Sequence, residues 1–190
     1  MGNIDYSILD FDERKRVEKA INNKSNFYGY IPEKGFEFIM KNYQILAKLG
    51  VLEESWITAY IHSSNFSLWG LNMIKSVFDV CSKNRLQDLY PIPSGHEFSG
   101  GLRYTLFRGC AGPNHEMGMS WCDSLDKAIW YATQHARYND LNNFAVYVTT
   151  VSKDEIYCTI KRNENEFILL PEKTWKIDIP MCEFTLDRKR

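Results

Sequence analysis

The 190-residue sequence contains no run approaching the roughly 18 apolar residues that a membrane-spanning helix requires. Its first residues, MGNIDYSILDFDERKR, carry acidic side chains and no apolar core of leader-peptide length. Tyr6 also stands where a myristoylation signal needs Ser or Thr. The five cysteines (Cys81, Cys110, Cys122, Cys158 and Cys182) are scattered and form no C-x-x-C pair, which argues against a disulfide framework or a structural zinc site. His62, His96, His115 and His135 are too dispersed for an H-x-x-x-H helix, so no metal is expected. Neither G-x-G-x-x-G nor a P-loop occurs, and any nucleotide must be held by other means than a Rossmann unit. Nor does one sign of charge dominate. With 23 Lys/Arg against 24 Asp/Glu the net charge is −1, so charge does not indicate a nucleic-acid partner. These absences together describe a reduced, cytoplasmic chain with no membrane partner.

What is present is an ordinary folding composition, 44% apolar and 25% charged, in a chain long enough for one domain or two small ones. The first half has helical period. Residues 11–20 read as a helix capped near Asp12. Over residues 36–49 the apolar positions Phe36, Ile39, Met40, Tyr43, Leu46 and Ala47 recur at three and four residues, with Gly50 as terminator. Residues 54–62 and 68–81 repeat the pattern less cleanly, and Trp56, Tyr60, Phe66 and Trp69 read as core. The segment Tyr90-Pro-Ile-Pro-Ser-Gly95 then breaks helical structure. It separates a helical region, residues 1–95, from a strand-rich region, residues 96–190. In the second region a strand over 102–107 ends in Arg108-Gly109. One helix over 124–138 places Leu125, Ala128, Ile129, Ala132 and Ala136 on one face, capped by Asp123 or Ser124. β-branched and aromatic runs follow at 143–151, 155–160, 166–170, 175–179 and 182–186. The fold class is α+β.

Three short stretches carry the candidate chemistry: Phe107-Arg108-Gly109 at a strand end, Gly118-Met-Ser120-Trp121-Cys122 before the helix, and Glu164-Asn-Glu166 entering a strand. Taken singly each has an ordinary explanation: a surface ion pair, a helix cap, and two carboxylates on one solvated strand face. Their order changes that. The segments LFRG (106–109), GMSWCDSLDKAIWYA (118–132) and NENEFILLP (163–171) resemble the Arg–Ser–Glu branch of the ADP-ribosyltransferase fold, especially its prokaryotic and phage-type members, toxins among the possible settings. The resemblance covers residues 100–180. It implies a split β-sandwich on which the helical region packs, shaping access for the acceptor.

The resemblance further implies a mono-ADP-ribosyltransferase that cleaves the nicotinamide–ribose bond of NAD+, its co-substrate, and passes ADP-ribose to an acceptor, a protein by preference. Heterolysis gives an oxocarbenium-like sugar, which a nearby carboxylate stabilises. By the family pattern Glu166 is that carboxylate and binds the ribose hydroxyl, and Glu164 is directed to the acceptor. Arg108, with Gly109, holds NAD+, since a guanidinium fork suits a diphosphate. Ser120, followed by Trp121, positions the ribose and the glutamate. Cys122 departs from the pattern, which has Ser or Thr there, and a thiol donates weakly. Tyr131, Phe144 and Tyr147 read as core, although each is chemically able to stack on nicotinamide. His115 reads as a solvated loop residue. Hydrolysis of NAD+ by water, or a non-catalytic binding module on the same fold, are the alternatives.

Overall fold

Helical period in the first half and β-branched runs in the second become two units, Met1–Pro91 and Ile92–Arg190, of a mixed α+β protein. The computed structural model describes residues 3–62, 66–98, 101–111, 118–141, 143–161 and 165–179, with residues 66, 67 and 96–98 described through the backbone alone. Among the described residues no helix is long and apolar enough to cross a membrane. Residues 92–95, placed with the helical region on sequence grounds, belong to the second unit. Ile92 packs against its core and the Tyr104 hydroxyl donates to the Pro93 carbonyl at 2.9 Å.

In the first unit α1 (Phe11–Asn22) starts at a reciprocal cap. Asp10 Oδ1 accepts from the Glu13 N–H at 2.8 Å, and Glu13 Oε2 accepts from the Asp10 N–H at 2.9 Å. The bond from the Glu13 N–H holds the Asp10 carboxyl below the usual carboxylate range. The helix α2 (Gly35–Leu49) ends on Gly50, whose φ of +66° lets the Gly50 and Val51 N–H groups close back on the last turn. After α3 (Glu53–His62), the helix expected over 68–81 is two pieces, α4 (Phe66–Trp69) and α5 (Leu71–Val80). Gly70, at φ +74°, breaks the ladder between them. The short α6 (Lys83–Leu89) buries only Leu86, too little apolar period to read from sequence. The buried carboxylate of Glu53 ties α3 to this corner by accepting from the Ser82 N–H at 2.9 Å, with Arg85 Nη1 3.5 Å away. Trp56 is fully buried, and both it and Tyr60 meet Phe78 edge-on at 5.4 Å, so these two rings join the core as expected; Trp69 is half-buried, and the side chain of Phe66 lies outside the described residues.

The second unit is one antiparallel sheet with a helix on one face. Its strands are β1 (His96–Phe98), β2 (Gly101–Ala111), β3 (Ser120–Cys122), β4 (Phe144–Ser152), β5 (Cys158–Lys161), β6 (Asn165–Ile168) and β7 (Trp175–Ile177), and α7 (Leu125–Tyr138) follows β3. The order is β5-β6-β3-β2-β4-β7, with β1 also paired to β2. The strand read at residues 182–186 lies outside the described residues. Sequence reading missed β1 and β3 because each is only three residues long. It also ended β2 four residues early, at Phe107, because Arg108-Gly109 looks like a turn.

Alternation sorts the side chains onto two faces. Tyr104, Leu106 and Cys110 of β2 join Trp121, Tyr147 and Phe167 in the core away from α7. On the other face Cys122 and Val146 meet Ala128 and Ala132 of α7, with Phe107 and Ile129 beside them. The alanines bring the helix close, and Gly109 allows the closest approach: a Cβ there would stand 1.7 Å from the Ala128 carbonyl oxygen and 2.9 Å from the Ala132 nitrogen. Both are backbone atoms, so no rotamer change relieves the overlap. Gly109→Ala is expected to destabilise the protein by about 1–3 kcal/mol by forcing α7 away from β2, measured as a lower denaturant midpoint.

Candidate active site

Strand pairing decides which side chains share a face, because residues directly opposite each other point the same way. Glu166 of β6 lies opposite Cys122 of β3, and Cys122 lies opposite Phe107 of β2. Both partners are on the α7 face, so Glu166 rises on that face too. Beside α7 these elements enclose a cavity of about 320 Å³. Ser120, Cys122 and Glu166 form its floor, Gly109 and Ala111 its end on β2, and Tyr131 and His135 its wall on α7. The start of β6 and the corner after β3 are tied together: Asn165 Nδ2 donates to Asp123 Oδ2 at 3.1 Å, and at the other end the Leu169 N–H donates to the Met119 carbonyl at 3.0 Å.

Five of the six residues singled out by sequence (Arg108, Gly109, Ser120, Trp121 and Glu166) border this one cavity. Glu164 and His115 lie outside the described residues. The five contribute differently. Arg108 pairs with Tyr147 across β2 and β4 and so leaves the sheet on the core side, with Trp121. Its Nη1 donates to the Ser120 carbonyl at 2.8 Å, and its guanidinium packs where Gly118 has no side chain. A Cβ on Gly118 would come within 2.2 Å of Nη2. Arg108 therefore braces β3 at the point where Ser120 enters the floor. Trp121 is 2% exposed, and its indole Nε1 donates to the Gly118 carbonyl at 2.9 Å. Its side chain lies in the core. Gly109 is required by the packing of α7.

Cys122, the departure in the second motif, is buried. Its Sγ contacts the Ser124 carbonyl at 3.2 Å and the Phe107 carbonyl at 3.4 Å. The thiol seals the β2–β3 join and the start of α7, the work of a small buried donor and not of a nucleophile. Ser124, the N-cap of α7, accepts from the Lys127 N–H.

Sequence reasoning undervalued the helical wall. Tyr147 is buried as expected and Phe144 is partly buried against α7, but Tyr131 is 39% exposed and faces the cavity. His135 follows one turn later. The signal was available, since residues four apart share a helix flank and this flank adjoins the alanine stripe that docks on β2. Comparison of the chain with family models, with curated proteins and with solved structures finds no match.

The face that carries Glu166 also carries Cys158, opposite Ile168 on β5. Burial, with the Glu166 charge adding to it, pushes the Cys158 thiol up to about 12 from an ordinary value near 9. A value raised on folding gives stability that is complete below about pH 9 and is lost as pH climbs towards about 12. Urea unfolding of wild type should therefore weaken across that range, and Cys158→Ala should remove part of the slope. Native protein at pH 8 should leave Cys158 unalkylated until it is unfolded.

Proposed function

We propose that the Ile92–Arg190 unit is a mono-ADP-ribosyltransferase that cleaves the nicotinamide–ribose bond of NAD+ and transfers ADP-ribose to a protein acceptor. One observation carries the reading: Arg108, Ser120 and Glu166, from three different strands, border a single cavity. The fold that accompanies it is an ADP-ribosyltransferase-like split sandwich. The sheet has a seam suited to such a split. Strands β2 and β4 pair from Arg103↔Ser152 to Ala111↔Phe144, whereas β2 and β3 share one registered pair, Phe107↔Cys122.

In this reading the C1′–N bond breaks with its electron pair leaving on nicotinamide, which departs neutral and needs no proton. Positive charge grows on the ribose, and the Glu166 carboxylate, fixed on a strand in the cavity floor, stabilises it without having to reorganise. The Ser120 hydroxyl orients the ribose beside that carboxylate. Arg108, from the opposite face of the sheet, holds Ser120 in place through its carbonyl. Glu164 is directed to the acceptor. A second reading, a non-catalytic binding module on the same fold, is favoured by the commitment of the Cys122 thiol to main-chain carbonyls where the family pattern has a hydroxyl.

The test is incubation of the purified chain with labelled NAD+ and cell lysate, following both nicotinamide release and labelled protein. Transfer gives both. Release without label identifies water as the acceptor, and no NAD+ affinity together with a stably bound protein partner identifies the module. Glu166→Gln should lower nicotinamide release roughly 10²–10³-fold with NAD+ still bound. Equal release by the variant would refute the assignment.

A further inference from the structure

The cavity holds a second proton-active side chain that the proposed bond cleavage does not use. Glu166 is a half-buried floor residue, whereas His135 is exposed and stands on the α7 wall at the solvent side, one turn beyond Tyr131. Cleavage of the nicotinamide bond consumes no proton, but an acceptor that attacks C1′ through a hydroxyl must lose one. A water-exposed imidazole at the mouth is suited to take it, because a ring nitrogen can accept the proton and return it to solvent.

Resting on the transferase reading, we propose that His135 is the general base for the acceptor, and that the acceptor is a hydroxyl-bearing protein side chain: serine, threonine or tyrosine. The step balances as follows. The acceptor oxygen forms a bond to C1′, the C1′–N bond breaks towards nicotinamide, and the hydroxyl proton passes to the neutral imidazole and then to water. A carboxylate acceptor would need no base at the mouth. The near-zero net charge argues against a nucleic-acid strand laid across it. The described groups around His135 in the cavity are Glu166 on β6, Arg108 and Cys110 on β2, Cys122 on β3 and Tyr131 on its own helix. The thiols are buried.

The experiment measures labelled-protein yield and nicotinamide release by the full chain from labelled NAD+ between pH 5 and 8.5, for wild type and His135→Gln, with lysate protein as acceptor and mass spectrometry of the modified residue. His135 is exposed, and matching thermal melts will show that the variant folds. Wild-type transfer should rise with pH through the imidazole range and label hydroxyl side chains. His135→Gln should lose that rise and at least about tenfold in transfer kcat, with KM for NAD+ little changed. An unchanged pH profile in the variant, or label on carboxylate or guanidinium side chains or on nucleic acid, overturns the role of His135 and leaves the transferase reading intact. Failure of wild type to release nicotinamide overturns both.

Discussion

The close packing of α7 on β2 is the constraint from which the candidate site follows. Ala128 and Ala132 offer only backbone and methyl groups to the sheet, and Gly109 offers no side chain at all, so helix and strand approach to backbone contact. With the helix axis fixed at that height, the flank carrying Tyr131 and His135 stands beside the floor of β3 and β6. A larger residue at any of these three positions would lift the wall and open the cavity. The site is thus a by-product of small residues, and its chemistry comes from the side chains that those small residues leave room for.

The polar parts depend on this frame in a definite order. Arg108 lies on the far side of the sheet from α7 and reaches the site through a main-chain carbonyl. Trp121 lies beneath the floor and holds Gly118 with its indole N–H. Ser120 and Glu166, with the buried Cys122 between them, form the floor of the cavity. A motif residue can therefore serve the site from the opposite face, by fixing the backbone on which the reacting side chains stand.

Much of this was legible in the sequence where periodicity was long or a single residue type had one physical use. The α2 stripe ending at Gly50 and the alanine face of α7 needed only helical spacing and a left-handed cap. The joint bordering of one cavity by Arg108, Ser120 and Glu166 was anticipated from motif order. Other features were hidden for physical reasons. Strand β3 is too short to show alternation. Gly70 sits inside a run whose apolar period continues through it. The faces of Arg108 and Glu166 depend on registers set by distant strands. The roles of Tyr131 and His135 depend on how closely α7 docks, which is written at Gly109 and not near either residue.

The junction of β2 and β3 has a mechanical consequence. Floor and wall lie on opposite sides of it: Ser120, Cys122 and Glu166 stand on β3 and β6, and Gly109 and α7 pack with β2 and β4. One registered residue pair, a guanidinium on a carbonyl and a thiol between two carbonyls span the gap. The junction is the one with the fewest registered residues among the described strand pairs, and Tyr104 of β2 meets Phe167 of β6 across it. A ligand bridging floor and wall would tie the two strand groups together from above, as Arg108 does from below.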